Sequence, residues 1–81
     1  MAKQTKKLRL VKRASYAPQY PGQPVWVMAY RLRPKTEIYW TGGSFVSDPS
    51  MAMEFRDKPV AVMYVDSKTQ QMMQELARDW M

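Results

Sequence analysis

The sequence predicts an α+β fold, a three- to four-stranded antiparallel sheet packed on one C-terminal amphipathic helix. Three observations predict it. Apolar residues alternate with period two over residues 8–14, 25–33 and 37–41. Turn-forming residues separate those segments, so the strands follow one another as neighbours. After Pro59 no glycine or proline interrupts the chain, and apolar residues recur there at helical spacing. A chain of 81 residues holds one domain, and 46% hydrophobic residues argue against wholesale disorder.

Residues 1–7 are polar, basic and without periodicity, and read as a flexible arm ahead of a single domain over residues 8–81. In the first strand, Leu8 and Leu10 fall on one face, with Arg9, Val11 and Arg13 on the other. Pro18, Pro21, Gly22 and Pro24 make residues 15–24 a connection, because proline removes a donor and fixes φ. Val25, Val27 and Ala29 then face one way, and Trp26, Met28, Tyr30 and Leu32 the other. Apolar residues on both faces predict a central strand. Residues 34–36 turn the chain into a third strand, where Ile38 and Trp40 lie opposite Tyr39. Gly42 and Gly43 permit a tight reversal before Phe45 and Val46. Ser47, Asp48 and Pro49 read as a cap with proline near the first turn. That cap suits a short helix over residues 51–55, while the alternation of Met51, Met53 and Phe55 suits an edge strand.

The C-terminal third admits two readings. In one, Asp57 caps a single helix with Pro59 in its first turn. Ala61, Val62, Val65, Thr69, Met72, Met73, Leu76 and Trp80 then form one stripe. In the other, residues 60–65 are a strand by propensity, and Ser67 with Gln70 makes a capping box for a shorter helix. The unbroken helical register favours the first.

Composition excludes several chemistries. The chain has no cysteine and no histidine. Disulfides, thiolate or imidazole metal sites, and nucleophiles paired with histidine are therefore absent. Its acids are scattered, apart from Glu54 and Asp57 flanking a turn, and residues 42–44 lack the Gly-Lys-Ser/Thr of a phosphate-binding loop. No catalytic residue, cofactor or metal is expected, so the chain reads as a binder and not an enzyme. No apolar run approaches the roughly 20 residues of a membrane span, and the expected location is cytoplasmic.

Charge is unevenly placed. The first 36 residues carry nine bases and no acid, the rest four bases and seven acids, giving a net charge of +6. Such segregation attracts phosphate, anionic lipid or an acidic protein surface. The helix is expected on the aliphatic face: Leu8, Leu10, Val25, Val27, Ala29 and Ile38. An open face would then carry Arg9, Arg13, Trp26, Met28, Tyr30, Leu32 and Tyr39. Aromatic rings interleaved with arginines make a stacking platform for unpaired bases. Arg31, Arg33, Lys35 and the basic arm would track phosphates. The candidate nucleic-acid-binding residues are thus Arg9, Arg13, Trp26, Tyr30, Arg31, Arg33, Lys35 and Tyr39, with single strands favoured. Those aromatics are also what a small core uses for bulk, and an exposed aromatic face equally suits a homodimer interface.

Six of the eight methionines lie in the last 31 residues. Methionine adapts its shape to a partner as readily as it fills gaps in a core. Met72, Met73, Trp80 and Met81 are accordingly candidate protein contacts, although Met72 and Met73 also suit a core stripe.

The run Tyr39-Trp40-Thr41-Gly42-Gly43-Ser44-Phe45-Val46-Ser47-Asp48-Pro49-Ser50-Met51-Ala52-Met53-Glu54-Phe55 resembles a pattern in small phage and prophage accessory proteins. In these an aromatic strand precedes a glycine turn, a Phe-x-x-Asp segment, and Ala-x-x-Phe leading into a helix. The resemblance implies a compact α+β protein that binds a host or phage macromolecule without catalysis, and it carries over no functional residues. Two functions therefore stand side by side. One is nucleic-acid binding; the other is an inhibitor or adaptor docking on an acidic host protein, as a homodimer. An anionic-membrane arm over residues 3–13 is a weaker third, because few bulky apolar residues accompany its charge.

Overall fold

The structure, a computed structural model, describes residues 8–80; the expected arm over residues 1–7 and Met81 lie outside them. The architecture is the predicted α+β arrangement. Four strands, β1 (Leu8–Ala14), β2 (Pro24–Arg33), β3 (Thr36–Trp40) and β4 (Phe45–Val46), form one antiparallel sheet in the order β1-β2-β3-β4. A 3-10 turn over Pro49–Met51 follows, and a single helix, α1 (Lys58–Asp79), completes the fold.

Each connection has a local cause. Between β1 and β2, two proline-led turns follow in succession. The Tyr20 N–H donates to the Ala17 carbonyl across Pro18, and the Gln23 N–H to the Tyr20 carbonyl across Pro21-Gly22. Gly22 has φ +75°, the left-handed value required at the third position of a type II turn. The Ser15 N–H donates to the Gln23 carbonyl at 2.7 Å and closes the loop. Pro34-Lys35 turns β2 into β3, and a bulge between Arg31 and Arg33 leaves Leu32 without a register partner. Gly42, at φ +116°, lets Thr41 and Ser44 close the β3–β4 hairpin.

Neither alternative for residues 51–55 forms as a whole: the expected cap opens a 3-10 turn that ends at Met51, and only Phe55 pairs as a strand residue would. Asp48 caps the 3-10 turn, accepting from the Ser50 N–H at 3.0 Å and the Ser50 hydroxyl at 2.8 Å. Phe55 then pairs with Trp26 through two backbone hydrogen bonds, so the chain runs beside the start of β2 beyond the end of β3. Residues 60–65 are helical, as in the single-helix reading. Asp57 occupies the cap position, but its side chain makes no capping hydrogen bond; its carbonyl accepts from the Ala61 N–H.

The register corrects the expected faces. Residues opposite each other in an antiparallel pair share a face. Leu8 pairs with Tyr30, Leu10 with Met28, and Tyr30 with Ile38. The helix-facing set is therefore Leu8, Leu10, Met28, Tyr30, Ile38, Trp40 and Phe45, which packs with Met72 and Leu76. Val25, Val27 and Ala29 turn to the opposite face with Arg9, Val11, Arg13 and Tyr39, and are buried there. Bulk explains the choice, since long side chains fill the space beneath a helix while valine and alanine suit a thinner layer. The Arg13 guanidinium donates to the Pro49 carbonyl, which places part of the 47–54 connection on this second face.

The helix stripe is rotated from the expected one. Ala61, Met72 and Leu76 are buried, and Tyr64, Val65 and Trp80 pack against the core, while Val62, Thr69 and Met73 are exposed. Tyr64 drives the rotation: its hydroxyl accepts from the buried Trp40 indole N–H at 3.0 Å, and its ring lies 5.0 Å from that of Phe55. At the far end the Trp80 indole N–H donates to the Phe45 carbonyl at 3.2 Å. Among the described residues no helix is long and apolar enough to cross a membrane.

Candidate nucleic-acid interface

The eight residues read as a single platform are divided between two faces and two ends of the sheet. Tyr30 is 5% exposed beneath α1 and has no ring face to offer. Trp26 lies on the helix side at the sheet margin, half-buried. Arg9 and Arg31 are on the other face at the opposite end, where both meet one carboxylate: Arg9 pairs with Glu37, and Arg31 stands 3.7 Å from it. Arg33 and Lys35, in the bulge and turn nearby, make no ion pair among the described residues. Tyr39 shares its face with Arg13, whose guanidinium carbon is 5.7 Å from the ring centre. Of the four expected protein contacts, Met72 is fully buried in the core, Trp80 is half-buried, Met73 is exposed, and Met81 is outside the described residues.

A different constellation forms where β1 ends and β2 begins. Lys12 pairs with Trp26 across the ladder, and its ammonium lies 6.0 Å from the indole centre. The Trp26–Phe55 bridge brings the start of α1 to the same ring, with the Lys58 ammonium at 5.0 Å. Arg13 stacks on Tyr16 at 4.4 Å, and Arg56 on Tyr20 at 4.6 Å. Cations over aromatic faces are attracted by the ring quadrupole, which orients both groups. Tyr16 and Tyr20 keep about half of their surface exposed, and α1 directs the positive end of its dipole here.

One carboxylate organises this end. Glu54 accepts from the Ser15 hydroxyl at 2.6 Å and the Tyr16 N–H at 2.8 Å, with Arg13 at 3.7 Å. Burial pushes its carboxyl up, but the Ser15 hydroxyl, the Tyr16 N–H and the Arg13 guanidinium together outweigh that and hold it below the ordinary value. Glu54 is therefore ionised at neutral pH. The Arg13 Nε is buried without a hydrogen-bond partner among the described residues. A cleft of about 260 Å³ opens beside Glu54, lined in part by Gln19, Tyr20, Gln23, Val25 and Arg56.

Sequence reasoning had Arg13 and Trp26 and missed Lys12, Tyr16, Tyr20, Arg56 and Lys58. Two tyrosines among the prolines of one connection, and two bases bracketing Asp57, were the visible signals. The β1–β2 ladder sets Lys12 beside Trp26, and the long-range Trp26–Phe55 bridge with the Glu54 contacts to Ser15 and Tyr16 brings Arg56 and Lys58 to them. Among the described residues no cluster of three acids forms a metal site. No protein-family model, no curated protein and no solved structure matches this chain, so the chemistry of this end is the ground for assigning a function.

Proposed function

We propose that the protein binds single-stranded nucleic acid, and that it does so at the end of the sheet formed by Lys12, Tyr16, Tyr20, Trp26, Arg56 and Lys58. The observation that carries this reading is the gathering of three cation–aromatic groups at one end, one of them an indole with two ammoniums. Rings with free surface accept unpaired bases, and the cations beside them meet the phosphates between those bases. Lys12, Arg56 and Lys58 make no ion pair among the described residues, so their charge is available to a polyanion. Arg9 and Arg31 share Glu37 and contribute less. Arg33 and Lys35 add a long-range attractive field at the far end.

The reading is tested by binding to labelled single- and double-stranded oligonucleotides across a salt series. Submicromolar affinity for single strands near physiological salt is expected, with a steep log–log slope. Replacing Lys12 and Lys58 by Ala lowers the slope by about 1.4, two contacts at roughly 0.7 each. Weak binding that ignores strandedness and vanishes by ~0.15 M salt overturns the reading.

A protein-docking adaptor is the second reading. Met63, 72% exposed, with Val60 and Val62 beside it on the first turns of α1, favours it. It requires a salt-tolerant protein complex that Met63→Lys abolishes.

A further inference from the structure

Strand β1 forms an open edge of the sheet. It stands first in the strand order and, among the described residues, pairs only with β2, over seven residues in one unbroken register. The other edge strand, β4, is two residues long. β1 contains no proline and no bulge, two of the devices that close an edge against further strands. The Trp26–Phe55 bridge fixes which of its backbone groups are free. Both the N–H and the carbonyl of Trp26 bond Phe55, on the side of β2 away from β1. Successive residues of a strand point these groups to alternate sides, so Val25, Val27 and Ala29 bond Arg13, Val11 and Arg9 of β1. The Ser15 N–H, which donates to the Gln23 carbonyl, continues the same phase. The N–H and carbonyl groups of Leu8, Leu10 and Lys12 therefore point outward, and no backbone bond among the described residues takes them up.

We propose that this edge takes an extended acidic segment of a partner protein as a fifth, antiparallel strand. Charge selects the occupant. β1 carries Arg9, Lys12 and Arg13 and no acid. Arg13 is already held by Glu54, but Arg9 shares one carboxylate with Arg31, and Lys12 makes no ion pair among the described residues. A second copy of β1 would set these bases against their own kind, and residues 1–7 would add three more bases and no acid. A lysine on an edge repels such strands and attracts an acidic one. Glutamates beside Lys12 and Arg9 set the register of the incoming strand. Leu8, Leu10 and Val11, all half-buried, leave apolar surface at the rim that β-branched residues cover. The inference requires neither nucleic acid nor the Met63 surface.

The test uses a fluorescent, end-blocked peptide, Thr-Glu-Val-Ile-Glu-Val, whose residues fall in turn opposite Arg13 to Leu8, at ~0.15 M salt. Binding is expected. N-methylation of the first glutamate and the isoleucine, which face Lys12 and Leu10, should weaken it about tenfold, because two backbone bonds are lost. N-methylation of the first valine and the second glutamate, whose N–H groups face away, should leave it unchanged. Lys12→Pro removes an outward donor and leaves the β1–β2 ladder whole, so it should bind about tenfold more weakly than Lys12→Ala, which removes only the charge. The methylated peptides read the same contact without altering the protein, which guards against a folding defect. Absence of peptide binding, equal loss from both methylation patterns, or equal binding of a peptide with lysines for glutamates overturns the proposal. A dimer of the protein alone that Lys12→Pro dissociates assigns the edge to a second copy and overturns it too. So does an oligonucleotide released by Lys12→Pro, and not by Lys12→Ala, from a protein that binds no peptide.

Discussion

Glu54 ties three pieces of chain together. Its carboxylate meets Arg13 from the end of β1 and Ser15 and Tyr16 from the connection, while its own neighbour Phe55 bridges to β2. Because these partners hold its folded value below the ordinary 4.5, it contributes stability above that pH, and the contribution is lost as pH falls through the lower folded value. Asp48, held down by the Ser50 hydroxyl and N–H, titrates in the same direction. Wild type and Glu54→Gln should therefore be compared by urea unfolding between about pH 5 and pH 3. A shallower acid loss in the variant is expected; parallel curves would show that Glu54 does not couple to folding. In the sequence Glu54 was legible only as an acid near a turn, because its partners lie far away in the chain, Ser15 at 39 positions and Arg13 farther still.

At the scale of elements, alternation and turn residues located β1, β2, β3 and the reversal ahead of Phe45, but did not mark Phe45–Val46 as the fourth strand; uninterrupted spacing located the helix. Which face each element presents was not legible. β2 carries apolar residues on both sides, so its own sequence fits either orientation. The ladder decides it, through the partners Leu8–Tyr30 and Leu10–Met28. The helix shows the same limit: a stripe including Met73 and one excluding it differ by a modest rotation, and the bond between Tyr64 and the Trp40 indole fixes the second. Two neighbouring methionines make this measurable. Met72→Ala removes a fully buried side chain and should cost about 2–5 kcal/mol in urea unfolding. Met73→Ala, on the exposed side, should stay within about 0.5 kcal/mol. Equal losses would refute the rotation.

The sequence shows one strongly basic first half, and among the described residues the structure splits its bases between two ends of the sheet. At one end the bases surround Glu37 and the β2–β3 turn; at the other they meet aromatic rings and the start of α1. The expected open aromatic platform is broken up: Tyr30 lies in the core, Trp26 is half-buried on the helix side, and Tyr39 is half-buried on the other face. What remains outside is gathered by the β1–β2 ladder, by the Glu54 contacts and by a bridge between residues 29 positions apart in the chain, a spacing to which local patterning is blind.

The pair of ammoniums at Trp26 has an optical consequence. The chain's three indoles occupy three environments: Trp40 sealed in the core, Trp80 at the helix end with its N–H engaged, and Trp26 at the margin beside two positive charges. Iodide is drawn to that margin and caesium is repelled from it, so iodide should quench the native emission far more than caesium does. Lys12→Ala with Lys58→Ala should bring the two quenchers closer together, and Trp26→Phe should remove most of the iodide-sensitive signal. The protein thus carries its own reporter of the local potential, one that an arriving polyanion would silence by displacing the halide.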